Sequence, residues 1–194
     1  MTTLTVIADR LPRDPHDIHM AVVHATEGLP ASPRTLWCRP TQDILVIQAS
    51  GPAHWTTGRV TTTTVTTEHP QGTSIAFSLI ANPTRGGGSG THSTPDGITH
   101  RRRGRTALTD PNDIREWILR RLTPALTDIE VGFDAPQSVW AHKPHHTAIH
   151  SRVAFAGTGA VDDPQVLEKL ITEGVGPGKA HGLGLMLVKA AVQP

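Results

Sequence analysis

Three features are scarce or missing in this chain of 194 residues. Tyrosine is absent, which removes one common catalytic acid and one common platform for stacking nucleobases. Cys38 is the single cysteine, so an internal disulfide framework is excluded and the chain suits a reducing compartment. No apolar run approaches the roughly 18 residues of a membrane span, and the apolar segment at residues 4–8 is too short for a signal peptide. We therefore expect a soluble, cytoplasmic protein that has no membrane partner.

Net charge is also small. The formal charge is +1 with the 12 histidines neutral, so a nucleic-acid footprint has to come from local clustering of cations. The densest cluster is H-R-R-R-G-R at residues 100–105, which contains Arg101, Arg102, Arg103 and Arg105. Such runs are usually solvated surface, but this one lies in a predicted strand or hairpin, and guanidinium groups suit phosphate oxygens. The run therefore predicts contact with nucleic acid.

The spacing of apolar residues predicts an α+β fold. Strands are predicted at residues 3–8, 34–39, 44–49, 59–67, 74–81, 98–108, 129–133, 148–156 and 183–188. Three helices are predicted to begin with Asp-Pro pairs, at Asp14, Asp110 and Asp163, and the third is predicted to end at Gly174. The second half then reads β-α-β-β-α-β, the ferredoxin-like order, and the first half resembles it with a weak or missing second helix.

Two tandem ferredoxin-like (RRM-like) domains are the resulting prediction, one at residues 1–93 and one at residues 94–194. Between the strands, residues 85–93 are mainly Gly and Ser. This composition favours a flexible or RNA-ordered loop, and it begins at Arg85.

Two groups of histidines are candidates for chemistry. His16 and His19 are neighbours on the surface of the first predicted helix, close to its start. The helix dipole there disfavours imidazolium, which leaves a neutral ring able to accept a proton at pH 7. The second group spans residues 142–150, but its spacing matches no zinc pattern and no cysteine is near. We therefore expect general acid–base chemistry on the first helix and no metal ion.

The segment E-G-V-G-P-G-K-A-H-G-L-G-L at residues 173–185, called the glycine-rich loop below, contains five glycines and one lysine. It lacks the Walker pattern, because Ala180 follows Lys179, and it lacks the spacing of the dinucleotide fingerprint. No nucleotide cofactor is expected. Two interpretations stay open: a helix cap followed by a turn into the last strand, or a close backbone approach to a large anion.

Four segments together resemble a known family, the CRISPR-associated repeat endoribonuclease CasE of the type I-E Cascade complex. They are D-I-H-M-A-V-V-H at residues 17–24, F-S-L-I-A-N-P at 77–83, the basic segment at 100–108 followed by E-W-I-L-R-R-L, and the glycine-rich loop. The resemblance runs through most of the chain, and the loop is its most specific part. It implies two tandem ferredoxin-like domains that bind the CRISPR repeat RNA hairpin and join other Cascade subunits.

The resemblance also implies metal-independent cleavage without any cofactor, at the 3′ base of the hairpin stem. His19 falls on the family's catalytic histidine and is expected to take the proton from the 2′-OH beside the scissile phosphate. Members often carry Tyr three residues earlier, where this chain has His16 as an orienting group or acid. The expected RNA-binding residues are Arg85, Arg101, Arg102, Arg103, Arg105, Gly176, Gly178 and Lys179. The alternatives are a non-catalytic RNA-binding subunit and a metal-dependent hydrolase that uses residues 142–150.

Overall fold

The computed structural model describes residues 2–7, 11–93, 99–143 and 146–191. Its helices are α1 (Pro15–Ala25), α2 (Pro111–Leu122) and α3 (Pro164–Glu173), and a 3₁₀ turn covers Lys179–His181. Its strands are β1 (Thr2–Ile7), β2 (Leu36–Thr41), β3 (Ile44–Ala49), β4 (Arg59–Thr64), β5 (Ser74–Ala81), β6 (Thr84–Ser93), β7 (Thr99–Ala107), β8 (Leu126–Phe133), β9 (Gln137–Lys143), β10 (His146–Val161) and β11 (Met186–Ala190). The α+β class is confirmed.

The first sheet has the order β2-β3-β1-β4, with every pair antiparallel. Numbered along the chain, this is the ferredoxin-like arrangement, in which the first strand lies between the third and the fourth. The segment between β3 and β4 lies wholly within the described residues and contains no helix. The prediction that the second helix of this module is weak or missing is therefore confirmed.

The second sheet has the order β11-β5-β10-β8, again antiparallel. Its ferredoxin-like unit runs β5-α2-β8-β10-α3-β11, so its first strand is β5 and not the basic strand β7. The predicted boundary after residue 93 would separate β5 from this sheet. The pairing instead places the boundary between the sheets in the segment from β4 to β5, because β5 bonds to strands far along the chain.

Two segments differ from the sequence-based expectation. Residues 84–93 form a strand, β6, that pairs with β7 as a separate two-stranded ribbon, where a loop was expected. Glycine and serine lack strand propensity of their own, and the ribbon comes from pairing with a partner strand. The His-rich connection contains β9, which pairs with the first half of the long strand β10.

Each helix begins at the predicted Asp-Pro pair. The side chains of Asp14, Asp110 and Asp163 accept hydrogen bonds from backbone N–H groups in the first turns, at 2.7 to 3.3 Å. Helix α1 buries Ile18 and Val22 against the first sheet, while α2 and α3 pack on the second sheet around the fully buried Trp117. None of the helices in the described ranges is long and apolar enough to cross a membrane.

A third apolar cluster joins the two sheets. Leu36, Cys38 and Val46 from the first sheet pack against Ile80 of β5 and against Leu183 and Leu185 of the glycine-rich loop. Beside this cluster the fully buried side chain of Gln48 donates from Nε2 to the carbonyl of Ile171 at 2.7 Å. The two modules therefore share a core, and the glycine-rich loop is part of it.

Candidate active site and RNA interface

Helix α1 carries the two histidines expected to act in catalysis, and its position follows from a local cap. The Oδ1 atom of Asp14 accepts from the backbone N–H of His16 at 2.7 Å, and Pro15 occupies the first helical position. His16 and His19 are both half-buried. Within the described residues, the Nδ1 atom of His16 is buried and has no hydrogen-bond partner. The helix packs against β9 on one side and against the 3₁₀ turn of the glycine-rich loop.

A basic cleft of about 620 Å³ opens beside that 3₁₀ turn. Its walls come from five parts of the chain, and the residues that line it are Arg34, Arg105, Arg121, His150, Gly176, Pro177, Gly178, Lys179, Ala180 and His181. Four of these are cations at neutral pH, and no acidic side chain of the described residues lines the cleft. A concave surface with this charge attracts a polyanion such as an RNA backbone.

Two cations of the cleft, Lys179 and Arg121, are partly buried, whereas Arg34 and Arg105 are exposed. Burial lowers the pKa of Lys179, and the nearby Arg34 guanidinium lowers it further, although Glu173 opposes the shift. A bound phosphate would relieve the repulsion between Lys179 and Arg34, because it places negative charge between like charges. The cleft is therefore electrostatically suited to an anion before any ligand arrives.

Arg121 is held in place by the core. Its guanidinium carbon lies 3.7 Å from the centroid of the Trp117 ring, and its Nη1 donates to the carbonyl of Trp117 at 2.8 Å. The indole N–H of Trp117 in turn donates to the carbonyl of Thr84 at 3.1 Å. Burial lowers the pKa of Arg121, and Arg120 adds to the shift. A pre-positioned guanidinium loses less side-chain entropy when it binds phosphate.

The glycines of the loop are explained mainly by packing. A Cβ at Gly176 would lie 2.9 Å from the Trp117 ring, and one at Gly182 would overlap the ring of Trp37. Both glycines also have positive φ, +76° and +75°. The loop therefore fits between Trp37 in the first module and Trp117 in the second, and this close fit presents Lys179 to the cleft.

Of the predicted arginines whose side chains the structure describes on the β6–β7 ribbon, Arg105 reaches this site and Arg85 does not. Arg105 of β7 faces Gly86 in the register and lines the cleft, whereas Arg85 of β6 is exposed and is not among the lining residues. Arg101, Arg102 and Arg103 lie on β7, but their side chains are outside the part of the chain that the structure describes. Gly176, Gly178 and Lys179 meet Arg105 in the cleft.

Of the histidines at residues 142–150, the structure describes the side chains of His142 and His150, which have different partners, whereas those of His145 and His146 lie outside the described part of the chain. His142 bonds to Asp14 at the start of α1, while His150 lies in the basic cleft with Nδ1 3.2 Å from Nδ2 of Asn82. The ring of His150 also contacts that of His181, with the centroids 4.5 Å apart. Within the described ranges, no three His, Cys, Asp or Glu side chains are grouped as metal ligands.

A family model described as CRISPR associated protein matches residues 2–190. The chain belongs to this family. No curated protein matches it in sequence.

Solved structures share the fold of this CRISPR associated protein. One, of the CRISPR endoribonuclease Cse3 bound to 19 nt RNA, has a TM-score of 0.77 at 20% identity over 97% of this chain and 100% of that chain. Cas6e from Escherichia coli K-12 has a TM-score of 0.71 at 22% identity over 98% and 100%. Thermus thermophilus Cse3, bound to an RNA representing a pre-cleavage complex, has a TM-score of 0.71 at 22% identity over 97% and 98%. At these identities the likeness shows the fold.

Four residues of the cleft in this CRISPR associated protein were missed by sequence reasoning: Arg34, Arg121, His150 and His181. Arg121 is the last basic residue of an amphipathic helix, a position that also suits a plain interaction with the helix dipole. In the sequence, His150 stands out only as a candidate metal ligand. Arg34 lies more than 60 positions along the sequence from the other three cations of the cleft, so only the fold brings it to the cleft.

Proposed function

We propose that this protein is a metal-independent endoribonuclease of the CRISPR system. It binds the repeat stem-loop of precursor CRISPR RNA, cleaves at the 3′ base of the stem, and stays bound as a subunit of a Cascade complex in the cytoplasm. The observation that carries the proposal is the basic cleft beside the helix of His19, in a chain that belongs to the CRISPR associated protein family.

Three further findings support the proposal. The chain shares its fold over 97% of its length with the CRISPR endoribonuclease Cse3 bound to 19 nt RNA, and over 98% with a chain of a CRISPR RNA-guided surveillance complex at a TM-score of 0.73 and 18% identity. Four cationic side chains line the cleft, and no acidic side chain in the described ranges lines it. The turn that carries Lys179 packs against α1, so an RNA backbone held in the cleft passes close to the histidine helix.

In the proposed reaction, His19 takes the proton from the 2′-OH that precedes the scissile phosphate. The 2′ oxygen then attacks phosphorus in line, the bond from phosphorus to the 5′ oxygen breaks, and the products carry a cyclic 2′,3′-phosphate and a 5′-OH. General base catalysis of this kind typically contributes about 10²- to 10⁴-fold. Lys179 and Arg105 offset the charge that develops on the phosphate, and His16 orients the reacting groups.

The test uses a cognate repeat hairpin RNA in EDTA. Wild-type protein should cleave it, and an RNA with 2′-deoxy at the cleaved nucleotide should stay intact. His19→Ala should abolish cleavage while leaving hairpin affinity close to that of the wild type. His24→Ala is the matched control, because His24 lies on the same helix with a side chain that is 87% exposed. Cleavage of the 2′-deoxy RNA would refute the mechanism.

The competing function, a non-catalytic RNA-binding subunit, makes the opposite prediction for the same assay. It requires that the wild type binds the hairpin and leaves it uncut, so His19→Ala would change nothing. A metal-dependent hydrolase would lose its activity in EDTA.

Binding is tested separately at the ribbon. Arg105→Ala should weaken hairpin affinity and reduce its salt dependence, and Arg85→Ala, outside the cleft, should do so less. If Arg105→Ala and Arg85→Ala weaken hairpin affinity equally, the cleft is not part of the RNA interface.

A further inference from the structure

The proposed cleavage, on which this inference rests, leaves one proton transfer without an assigned residue. When the bond from phosphorus to the 5′ oxygen breaks, that oxygen needs a proton, and a second side chain can supply it. His19 serves as the base, and the Nδ1 atom of His16 is buried. A more exposed imidazole lies beside the start of α1, bonded to the capping residue Asp14.

His142 on β9 is such a group. Its Nδ1 atom lies 2.6 Å from Oδ2 of Asp14, and its backbone N–H donates to the same oxygen at 3.0 Å. Asp14 thus binds His142 through both the side chain and the main chain, while it also caps α1 through His16. The side chain of His142 remains 66% exposed, whereas that of Asp14 is 18% exposed. A half-buried carboxylate therefore anchors an accessible imidazole at the start of the histidine helix.

The tautomer of this imidazole follows from its partner. Burial alone would raise the pKa of Asp14, but hydrogen bonds from the backbone of His16 and from His142 outweigh it and hold that pKa below its ordinary value. Asp14 is therefore an ionised carboxylate at neutral pH, which can only accept hydrogen bonds. Nδ1 of His142 must be the donor in the 2.6 Å contact. In the protonated ring, Nε2–H is then the donor left for a substrate.

The surroundings of His142 suit RNA. Trp140 and Ile149 are paired across the β9–β10 hairpin, and they are 54% and 58% exposed. Because side chains alternate along a strand, Trp140 and His142 lie on the same face of the hairpin. An exposed indole is a platform on which unpaired bases stack.

We propose that His142 is the general acid of the reaction and that Asp14 is its positioning residue. As the 2′ oxygen bonds to phosphorus, the 2′-OH proton passes to His19. As the bond to the 5′ oxygen breaks, the Nε2 proton of His142 passes to that oxygen, which leaves as a 5′-OH. The step ends with His19 protonated and His142 neutral, and exchange with water restores both.

The test compares two repeat hairpins. The natural one is called the oxygen RNA, and in the other, the sulfur RNA, sulfur replaces the 5′ bridging oxygen at the cleavage site. A thiolate leaves without protonation, so the sulfur RNA makes an acid unnecessary. His142→Ala should slow cleavage of the oxygen RNA by about 10²- to 10⁴-fold and slow cleavage of the sulfur RNA by less than about 10-fold. His19→Ala should be slow on both RNAs, because the 2′-OH still needs a base.

Asp14→Asn separates positioning from folding, because Asn caps a helix as well as Asp does but is not an anionic acceptor for His142. Asp14→Asn should also cleave the oxygen RNA slowly and cleave the sulfur RNA at close to the wild-type rate, and its affinity for the hairpin should be unchanged. Equal slowing of His142→Ala on both RNAs, or full activity on the oxygen RNA, would overturn the inference. Wild-type protein that binds both RNAs and cuts neither would instead overturn the proposed function.

Discussion

Gly182 offers a direct test of why the glycine-rich loop needs its glycines. A Cβ at this position would overlap the ring of Trp37, with the Cε3 atom 2.7 Å away, and φ is +75°. Trp37 is 3% exposed and belongs to the core of the first module, so its ring has little room to move. Gly182→Ala therefore combines backbone strain with a steric clash.

Gly72 is the matched control for that substitution. Its φ is +82°, but a Cβ there would meet nothing within 4 Å. Backbone strain for a non-glycine residue at positive φ destabilises the folded state by roughly 1–2 kcal/mol. Alanine also lowers the conformational entropy of the unfolded chain, which stabilises the folded state by about 0.4–1 kcal/mol. Gly72→Ala should then lower the free energy of unfolding by about 1 kcal/mol. The clash at Gly182 should add about 1–3 kcal/mol to that figure.

Urea denaturation measures both variants on one scale, because the free energy of unfolding falls linearly with denaturant. Trp37→Leu provides the second check: in that background Gly182→Ala should cost less, with a coupling energy of about 0.5–3 kcal/mol. Equal destabilisation by Gly72→Ala and Gly182→Ala, or zero coupling to Trp37, would refute the packing explanation.

Three further predictions concern charge and titration. Lys179→Ala should weaken affinity for the repeat hairpin and lower its salt dependence, whereas Lys189→Ala, an exposed lysine outside the cleft, should leave both unchanged in filter-binding assays. The difference in free energy of unfolding between wild type and Asp14→Asn should be constant well above pH 3.8, which is the ordinary pKa of Asp14. This difference should shrink as the pH falls below 3.8, because the pKa of Asp14 is lower in the folded protein than in the unfolded chain. Burial raises the pKa of the Cys38 thiol to about 12, so alkylation of native protein at pH 8 should be slow and should become fast in urea; rapid labelling of native protein would contradict this.

The parts of the fold that depend on local chemistry were predicted well. All three helix starts follow from Asp-Pro pairs, since a cap needs only the next two or three residues. The missing second helix of the first module was also predicted. Pairing between distant strands was not: β6 is a strand because β7 lies beside it, and β5 belongs to the second sheet because β10 and β11 bond to it. Such pairing leaves little trace in local composition.

The same distinction applies to the candidate site. Lys179 and Arg105 could be predicted because each stands in a segment of unusual composition. Arg34 and Arg121 lie in ordinary segments, and only the packing of the glycine-rich loop against Trp37 and Trp117 gathers them into one cleft. A clustering of charge in space is set by tertiary contacts, so a sequence shows it only where the cluster is also contiguous in the chain.

The position of the glycine-rich loop links stability to the proposed chemistry. The loop touches Trp37 of the first module, and its Gly184 N–H donates to the carbonyl of Ile80 in the second sheet at 2.6 Å. It therefore ties the module that carries His19 to the one that supplies Arg105 and most of the cleft. A substitution that pushes the loop outward would shift the cations relative to α1 without removing any of them. Such a variant should still bind the repeat hairpin but cleave it slowly, because phosphate attraction tolerates small displacements whereas in-line attack does not.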